Sequence, residues 1–468
     1  MRVERERMIL RPYQVEDLDI VLAAEDGSAL IANTMGTGKT LLAVEAVRAV
    51  APATGRALVI APLNTHTGWE RTIRAQSGPD TPIHRLTGGK DGKLAWDALA
   101  DGWAGWYLIG WEYFRRFDWR PPGVFDVAVA DECHRAQNRK SKTAKALWSV
   151  RARRKLAMSG TPAGNRIEGL WSVLHWLWPE QHPHYWPWVK KYLRTRPNRY
   201  TQVEIVGEKV PGQVIRSVPC YTRRKLEDVV ADLPERITYT VDTRMLPAQA
   251  RIYRQFEAQS LAWLKEHPVA TPLPVQQRLR MLQTALGVPT LFEKEELDED
   301  GFPKTEIGFE PDCKSAKIDA MLDIVSDLPE HTPVMVYTHS ARFAEVVVAR
   351  LNDKGIGRAE LWTGRVPQHT RMRVLKEFGG GVRFIVAGIA AIGEGVDGLQ
   401  RVCNHEIWLS KHDNGLLNEQ AAARLLRMGQ SKPVLSWVIR AEDTIDTLVY
   451  QRLDENAEAM AFALEKED

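Results

Sequence analysis

Ile31-Ala32-Asn33-Thr34-Met35-Gly36-Thr37-Gly38-Lys39-Thr40 sets two glycines just ahead of a lysine and a threonine. The apolar run 29–32 has the pattern of a short buried strand, and residues 41–47 have that of a helix. Strand, glycine loop and helix form a setting in which backbone N–H groups turn toward a polyphosphate, and the helix N-terminus adds partial positive charge. In that setting Lys39 reaches the β/γ-phosphates, and the Thr40 hydroxyl ligates Mg2+. The full pattern has glycine at position 33, where this chain carries Asn33.

Working outward, the apolar run 124–130 ends in Asp131-Glu132-Cys133-His134. Two acids delivered side by side by an apolar strand need compensation, because an unpaired buried charge is costly. A cation and a water supply it. Asp131 then holds Mg2+ through water, and Glu132 orients or deprotonates the water that attacks a γ-phosphate. Further short strands are expected at 56–61, before Pro62, and at 107–110 and 155–158. Ser159 and Thr161 bring hydroxyls to the last strand end, where they suit a switch that senses the acid pair. Strand and helix alternate from 29 to 162, which implies a doubly wound parallel sheet with ligand groups at the strand C-termini. Upstream, the Gln14 amide offers donor and acceptor together, as reading adenine requires.

Composition narrows the class. The 468 residues are 44% hydrophobic, ample for buried cores. No apolar run approaches the ~20 residues of a membrane span. The charged N-terminus has no apolar stretch behind it, so no signal peptide is expected. Cys133, Cys220, Cys313 and Cys403 lie far apart, which argues against a zinc site or disulfide framework and for a reducing compartment. Net charge is only +3, but residues 151–200 hold 10 basic and 2 acidic residues. A basic front half fits a polyanion partner or a merely solvated surface. Five tryptophans between Trp96 and Trp119 either stack on bases or fill the core.

The rhythm changes after 165. A helical insertion with one basic side is expected at about 165–225, helices over 248–288, and a mobile loop over 291–310, where 8 acids meet 2 bases. A second α/β unit starts near Ser315, with strands at 333–337, 359–362, 382–387 and 405–409. The expected division is therefore 1–240, 241–312 and 313–468. A helix over 416–428 would put Gln420, Arg424 and Arg427 on one face. Such arginines are either solvated or reach a γ-phosphate, where they contribute ~10³–10⁵ in rate.

In series, these motifs resemble the Swi/Snf-related group of superfamily 2 helicase-like ATPases. Arg11-Pro12-Tyr13-Gln14 looks like the Q motif, residues 35–40 like motif I, Ala61-Pro62-Leu63 like motif Ia and 131–134 like motif II. Ser159-Gly160-Thr161-Pro162, with Asn165 and Leu170-Trp171-Ser172 following, is similar to motif III and the helix after it. Tyr221-Thr222-Arg223-Arg224 and Leu233-Pro234 resemble the segment that ends the family's first insertion. Val336-Tyr337-Thr338-His339 matches motif IV, residues 393–399 motif V and residues 420–430 motif VI.

The resemblance implies an α/β protein of two RecA-like parallel-sheet lobes with helical insertions, using ATP and Mg2+. Arg11, Gln14, Gly36, Thr37, Gly38, Lys39, Thr40, Gly395 and Asp397 would bind nucleotide. Lys39, Asp131, Glu132, Arg424 and Arg427 would carry catalysis, with Thr40 and Asp131 on the metal. Ser159, Thr161 and Gln420 would couple hydrolysis to motion. Duplex or branched DNA would lie against Pro62, Asn64, Trp111, Thr338, His339 and Gly393, mostly through phosphates and without sequence preference. Asn33 and Thr34 replace the acidic pair common before motif I, and Glu394 and Asp397 make motif V more acidic than usual. With no further module evident, the chain resembles compact bacterial or phage members, expected as monomers in the cytoplasm of a bacterial or phage-infected cell. Two rivals remain at this stage: an RNA helicase of the DExH type, and an ATP-binding scaffold subunit.

Overall fold

The computed structural model describes residues 7–464 except 53, 117–123, 165, 199–201, 267–274, 298–302, 394, 395 and 397. The chain forms two compact units, Met1–Ala231 with Asn456–Asp468, and Asp232–Glu455. Among the described residues no helix is long and apolar enough to cross a membrane.

In the first unit β1 (Ser28–Ile31), β2 (Arg56–Ala61), β3 (Ile83–Leu86), β4 (Gly105–Gly110), β5 (Phe125–Asp131) and β6 (Ala152–Met158) follow one another with helices between most of them. The chain then makes an antiparallel pair, β7 (Leu193–Asn198) with β8 (Gln202–Glu208), before the short β9 (Tyr221–Thr222). The main sheet runs β3-β4-β2-β5-β6-β1-β9, with every pairing parallel. Its central strands are covered on both faces, which is why they read as unbroken apolar runs rather than alternating ones. Leu30, Ile31, Leu58, Val59, Ile60, Leu108 and Ile109 are all fully buried. Because β5, β6 and β1 are neighbours, the segments leaving their C-terminal ends lie side by side along one edge.

The second unit holds β10 (Arg236–Thr243), a separate antiparallel pair of β11 (Thr290–Leu297) and β12 (Pro303–Gly308), then β13 (Val334–Thr338), β14 (Ala359–Trp362), β15 (Phe384–Gly388), β16 (His405–Trp408) and β17 (Val434–Ala441). Its main sheet runs β10-β17-β16-β13-β15-β14 and is also wholly parallel. The α/β class with two parallel sheets is as expected.

Several local expectations are corrected. The boundary at 240 falls inside β10, which pairs with β17 along its whole length and so belongs to the second unit. Within the stretch expected to be a mobile loop, Thr290–Leu297 and Pro303–Gly308 pair as antiparallel strands, with Leu291 opposite Ile307 and Phe292 opposite Glu306. The segment after 165 contains the antiparallel pair β7–β8 beside its helices. The helix expected over 416–428 is Gly415–Ala422, so Arg424 and Arg427 lie beyond its end.

Candidate functional site

The loop after β1 is shaped by two left-handed glycines, Gly36 at φ 84° and Gly38 at φ 76°. Gly38 caps the helix Lys39–Val50, and a Cβ there would stand 2.5 Å from Gln14 Nε2. That close approach comes from the helix Pro12–Leu22, which braces the loop from outside. Tyr13 Oη donates to Thr37 O at 2.8 Å, and Gln14 Nε2 donates to Thr37 O at 3.0 Å and Gly38 O at 3.3 Å. Gln14 Oε1 accepts from Arg11 N at 2.9 Å. The Gln14 amide, expected to read adenine, is thus occupied in bracing the loop. Lys39 Nζ donates to Asn33 O at 2.9 Å and Thr34 O at 3.1 Å. Burial pushes its ammonium below the ordinary value, against the opposing pull of Glu132 and Asp131. Asn33, where glycine was expected, donates from Nδ2 to buried Asp17 Oδ2 at 2.7 Å, and Asp17 also receives Arg224 Nε at 2.9 Å.

The acid pair closes β5. Glu132 sits in the left-handed region at φ 53° and ψ 50°, a conformation that costs a non-glycine residue energy and here turns its side chain off the strand. Ser159 Oγ, at the end of β6, donates to Glu132 Oε2 at 3.1 Å. His134 Nδ1 lies 2.9 Å from Ser159 Oγ and 3.2 Å from Glu132 Oε2. Burial would raise the Glu132 carboxyl, but the contacts with His134 and Ser159 and the charge of Lys39 outweigh it and bring it down to about 2. Asp131 goes the other way. Burial and the neighbouring Glu132 charge push its carboxyl up to about 6. Trp69 Nε1 donates to Asp131 Oδ2 at 3.0 Å, and Trp111 Nε1 donates to Asp131 O at 2.8 Å.

The crowded, buried Asp131 carboxylate is an oxygen donor of the kind a hard divalent cation takes. Among the described residues no group of three or more His, Cys, Asp or Glu could cage a metal. A cation here would take its other ligands from water and phosphate, as Mg2+ does.

In the second unit, Arg424 donates to Gly393 O, and to Val396 O at 2.9 Å, and Arg427 Nη1 donates to Val396 O at 3.2 Å. Arg424 therefore ties Gly393 and Val396 together, and Arg427 adds a second bond to Val396. Gln420 is buried against Gly393, where a Cβ would meet its Cβ and Oε1 at 3.1 Å. Gly395 and Asp397, expected at the nucleotide, lie outside the described residues, as do Asn165 and Glu394.

The residues assigned to nucleic acid divide by exposure. Asn64 is exposed and His339 part-buried, whereas Pro62, Thr338 and Gly393 are buried. Trp111 is corrected: only 2% of it is exposed, and its indole holds Asp131 rather than facing outward. Of the tryptophans from 96 to 119, Trp106 and Trp111 are core, Trp103 is 59% exposed and Trp119 lies outside the described residues. Sequence reasoning missed Trp69 and gave His134 no role. The signal for His134 was its place beside Glu132; for Trp69 no local signal exists.

Residues 13–285 match the SNF2-related domain. The Danio rerio chromodomain-helicase-DNA-binding protein 1-like is 24% identical over 459 residues, covering 95% of this chain and 43% of that protein. An uncharacterised ATP-dependent helicase of Mycoplasma genitalium is 22% identical over 460 residues, covering 94% of this chain and 41% of its own. The Sulfolobus solfataricus SWI2/SNF2 ATPase core in complex with dsDNA aligns with a TM-score of 0.44 and 19% identity, over 98% of this chain and 93% of that one. The chain spans about two-fifths of the length of these two curated relatives. They come from a vertebrate and a bacterium, so they do not single out the bacterial or phage source that was expected.

Proposed function

The chain belongs to the SNF2-related family of helicase-like ATPases, and from that premise we propose that it hydrolyses ATP and couples hydrolysis to movement along duplex or branched DNA. The observation that carries this reading is the alignment, on adjacent strands of one sheet, of a braced phosphate loop after β1, a strained and hydrogen-bonded acid pair after β5, and a serine touching that pair after β6. The loop N–H groups and Lys39 hold the phosphates; Lys39 exchanges its present carbonyl partners for them. Glu132, kept ionised by its neighbours, takes the proton of the attacking water. Thr40 and Asp131 would hold Mg2+, which would supply charge neutralisation at the phosphates. Arg424 and Arg427 act on the charge that develops on the γ-phosphate. Ser159, which touches both Glu132 and His134, senses the state of the acid pair; Thr161 and Gln420 act with it in coupling. DNA contacts fall to exposed groups such as Asn64, and to His339.

The test is steady-state ATP hydrolysis at fixed salt without nucleic acid, then with single-stranded, duplex and forked DNA and with duplex RNA, alongside Glu132→Gln. Stimulation by duplex or forked DNA that disappears in Glu132→Gln is the expected result. Stimulation by RNA alone would replace DNA with RNA as the substrate. Absence of hydrolysis under every condition would overturn the enzyme reading in favour of a scaffold.

A further inference from the structure

Glu406 is an acid where the fold should not want one. It lies in β16, inside the second sheet, fully buried. A carboxylate there must be compensated or it destabilises the strand that carries it. Trp408 Nε1 donates to its Oε1 at 3.1 Å, and Arg236 Nε stands 3.3 Å from the same oxygen. Its Oε2 finds no hydrogen bond among the described residues. Arg236 is the first residue of β10, the strand that opens the second unit, and it reaches across β17 to make this pair. The same guanidinium does a second thing: its Nη2 donates to Ala422 O at 2.6 Å.

Ala422 is the last residue of the helix Gly415–Ala422. The carbonyls at a helix C-terminus have no partner within the helix, and a cation there is favoured by the helix dipole as well. Arg236 satisfies that carbonyl, and Tyr337 Oη donates to Ala421 O at 3.4 Å beside it. The chain leaves the helix at this point and turns so that Arg424 and Arg427 reach the carbonyls of Gly393 and Val396. No glycine or proline falls between Ala422 and Arg427 to end the helix, so its end is set by tertiary partners.

We propose that Arg236, held by Glu406, is a positioning residue for the segment 423–429 that carries Arg424 and Arg427. The inference rests on the assignment of those two arginines to ATP hydrolysis. It gives the buried acid of β16 a purpose: Glu406 fixes the direction of a guanidinium whose other end caps the helix before the arginines. It also ties the first strand of the second unit to those arginines, so a displacement of β10 is passed to them.

Kinetics, melting and amide exchange on the full chain test this, using Arg236→Met, Arg236→Lys, Glu406→Gln and the double variant Arg236→Met/Glu406→Met. Arg236→Met is expected to lower the nucleic-acid-stimulated kcat by about tenfold to a hundredfold, the loss of one charge-assisted hydrogen bond, with KM for ATP within about twofold. Arg236→Lys restores part of kcat, and Glu406→Gln lowers kcat by less than Arg236→Met. Amides of 423–429 exchange faster in Arg236→Met, while those of β13 and β15 do not. The double variant separates positioning from stability. Removing both charges relieves the unpaired acid, so the melting temperature recovers while kcat stays low. Recovery of kcat together with melting temperature would overturn the proposal, as would unchanged exchange at 423–429 in Arg236→Met. If the wild type hydrolyses no ATP, the functional reading fails on its own, and the exchange measurement still decides whether Arg236 orders the segment.

Discussion

Asp131 receives a hydrogen bond on its carboxylate from Trp69 and another on its carbonyl from Trp111, so two buried rings set both the side chain and the strand end. The two bonds predict different phenotypes. Trp69→Phe keeps most of the packing but removes the donor to Oδ2, at a cost of ~1–3 kcal/mol where the group is buried. The Mg2+ concentration for half-maximal ATPase should then rise several-fold, because the carboxylate is free to rotate. Trp111→Phe should lower the melting temperature with little change in Mg2+ dependence, since its partner is backbone. Equal shifts in the two variants would show that the indoles only fill space. The phosphate loop gives a second contrast. Gly38→Ala meets both a left-handed backbone and Gln14 Nε2 at 2.5 Å. Combining it with Gln14→Ala removes the clash but not the backbone strain of about 1 kcal/mol, so ATP affinity should recover only in part in the double variant. Lys39, Asp131 and Glu132 stand out in the sequence as candidates because their pattern is local. Trp69 does not, because it meets Asp131 across 62 positions of sequence and looks like any core aromatic.

Elements were legible where burial on both faces produced an apolar run, as in β1, β2, β4 and β5. They were not where the pattern is short or mixed. β3 is Ile-His-Arg-Leu at a sheet edge, and β9 has only two residues, so neither carries a periodic signal. The helix Gly415–Ala422 was overextended because nothing in its sequence stops it; the arginine and tyrosine that cap it come from other elements. The tryptophan-rich segment after β6 carries a further property hidden from sequence. His182, beyond the helix Leu170–Leu177, is buried with neither ring nitrogen hydrogen-bonded among the described residues. Burial, then the charges of Lys191 and His175, hold its imidazole down to about 4, below the ordinary 6.5. The unfolded chain therefore binds this proton more readily than the folded one. The contribution to stability is fully present above pH 6.5 and is lost as pH falls from there toward 4, amounting to ~3 kcal/mol. His182→Leu should flatten thermal stability over that window relative to wild type. An unchanged pH slope in the variant would assign the acid sensitivity to other groups.

At the scale of the whole molecule, the first unit is not finished by its first 231 residues, because Asn456–Asp468 returns to it. Ala463 and Leu464 are buried in its core, and Tyr221 Oη, from β9, donates to Leu464 O at 2.7 Å. The sequence hides this, since the partners are 243 positions apart and residues 445–464 read as the tail of the second half. β9 pairs with β1, the strand that leads into the phosphate loop, so the C-terminal residues support the loop through one intervening strand. Deleting residues 463–468 removes a buried leucine, a loss of ~1.5–3 kcal/mol, and takes away the Leu464 carbonyl that accepts from Tyr221 Oη. The expected outcome is a melting temperature several degrees lower, together with weaker ATP binding although no deleted residue touches the loop. Tyr221→Phe should cost about 1 kcal/mol in the full chain and less in the shortened one, because the bond to Leu464 O is already gone there. If Tyr221→Phe destabilises both chains equally, the tyrosine acts through packing on β1 alone. If ATP affinity survives the deletion, the C-terminal residues stabilise the unit without shaping its phosphate loop.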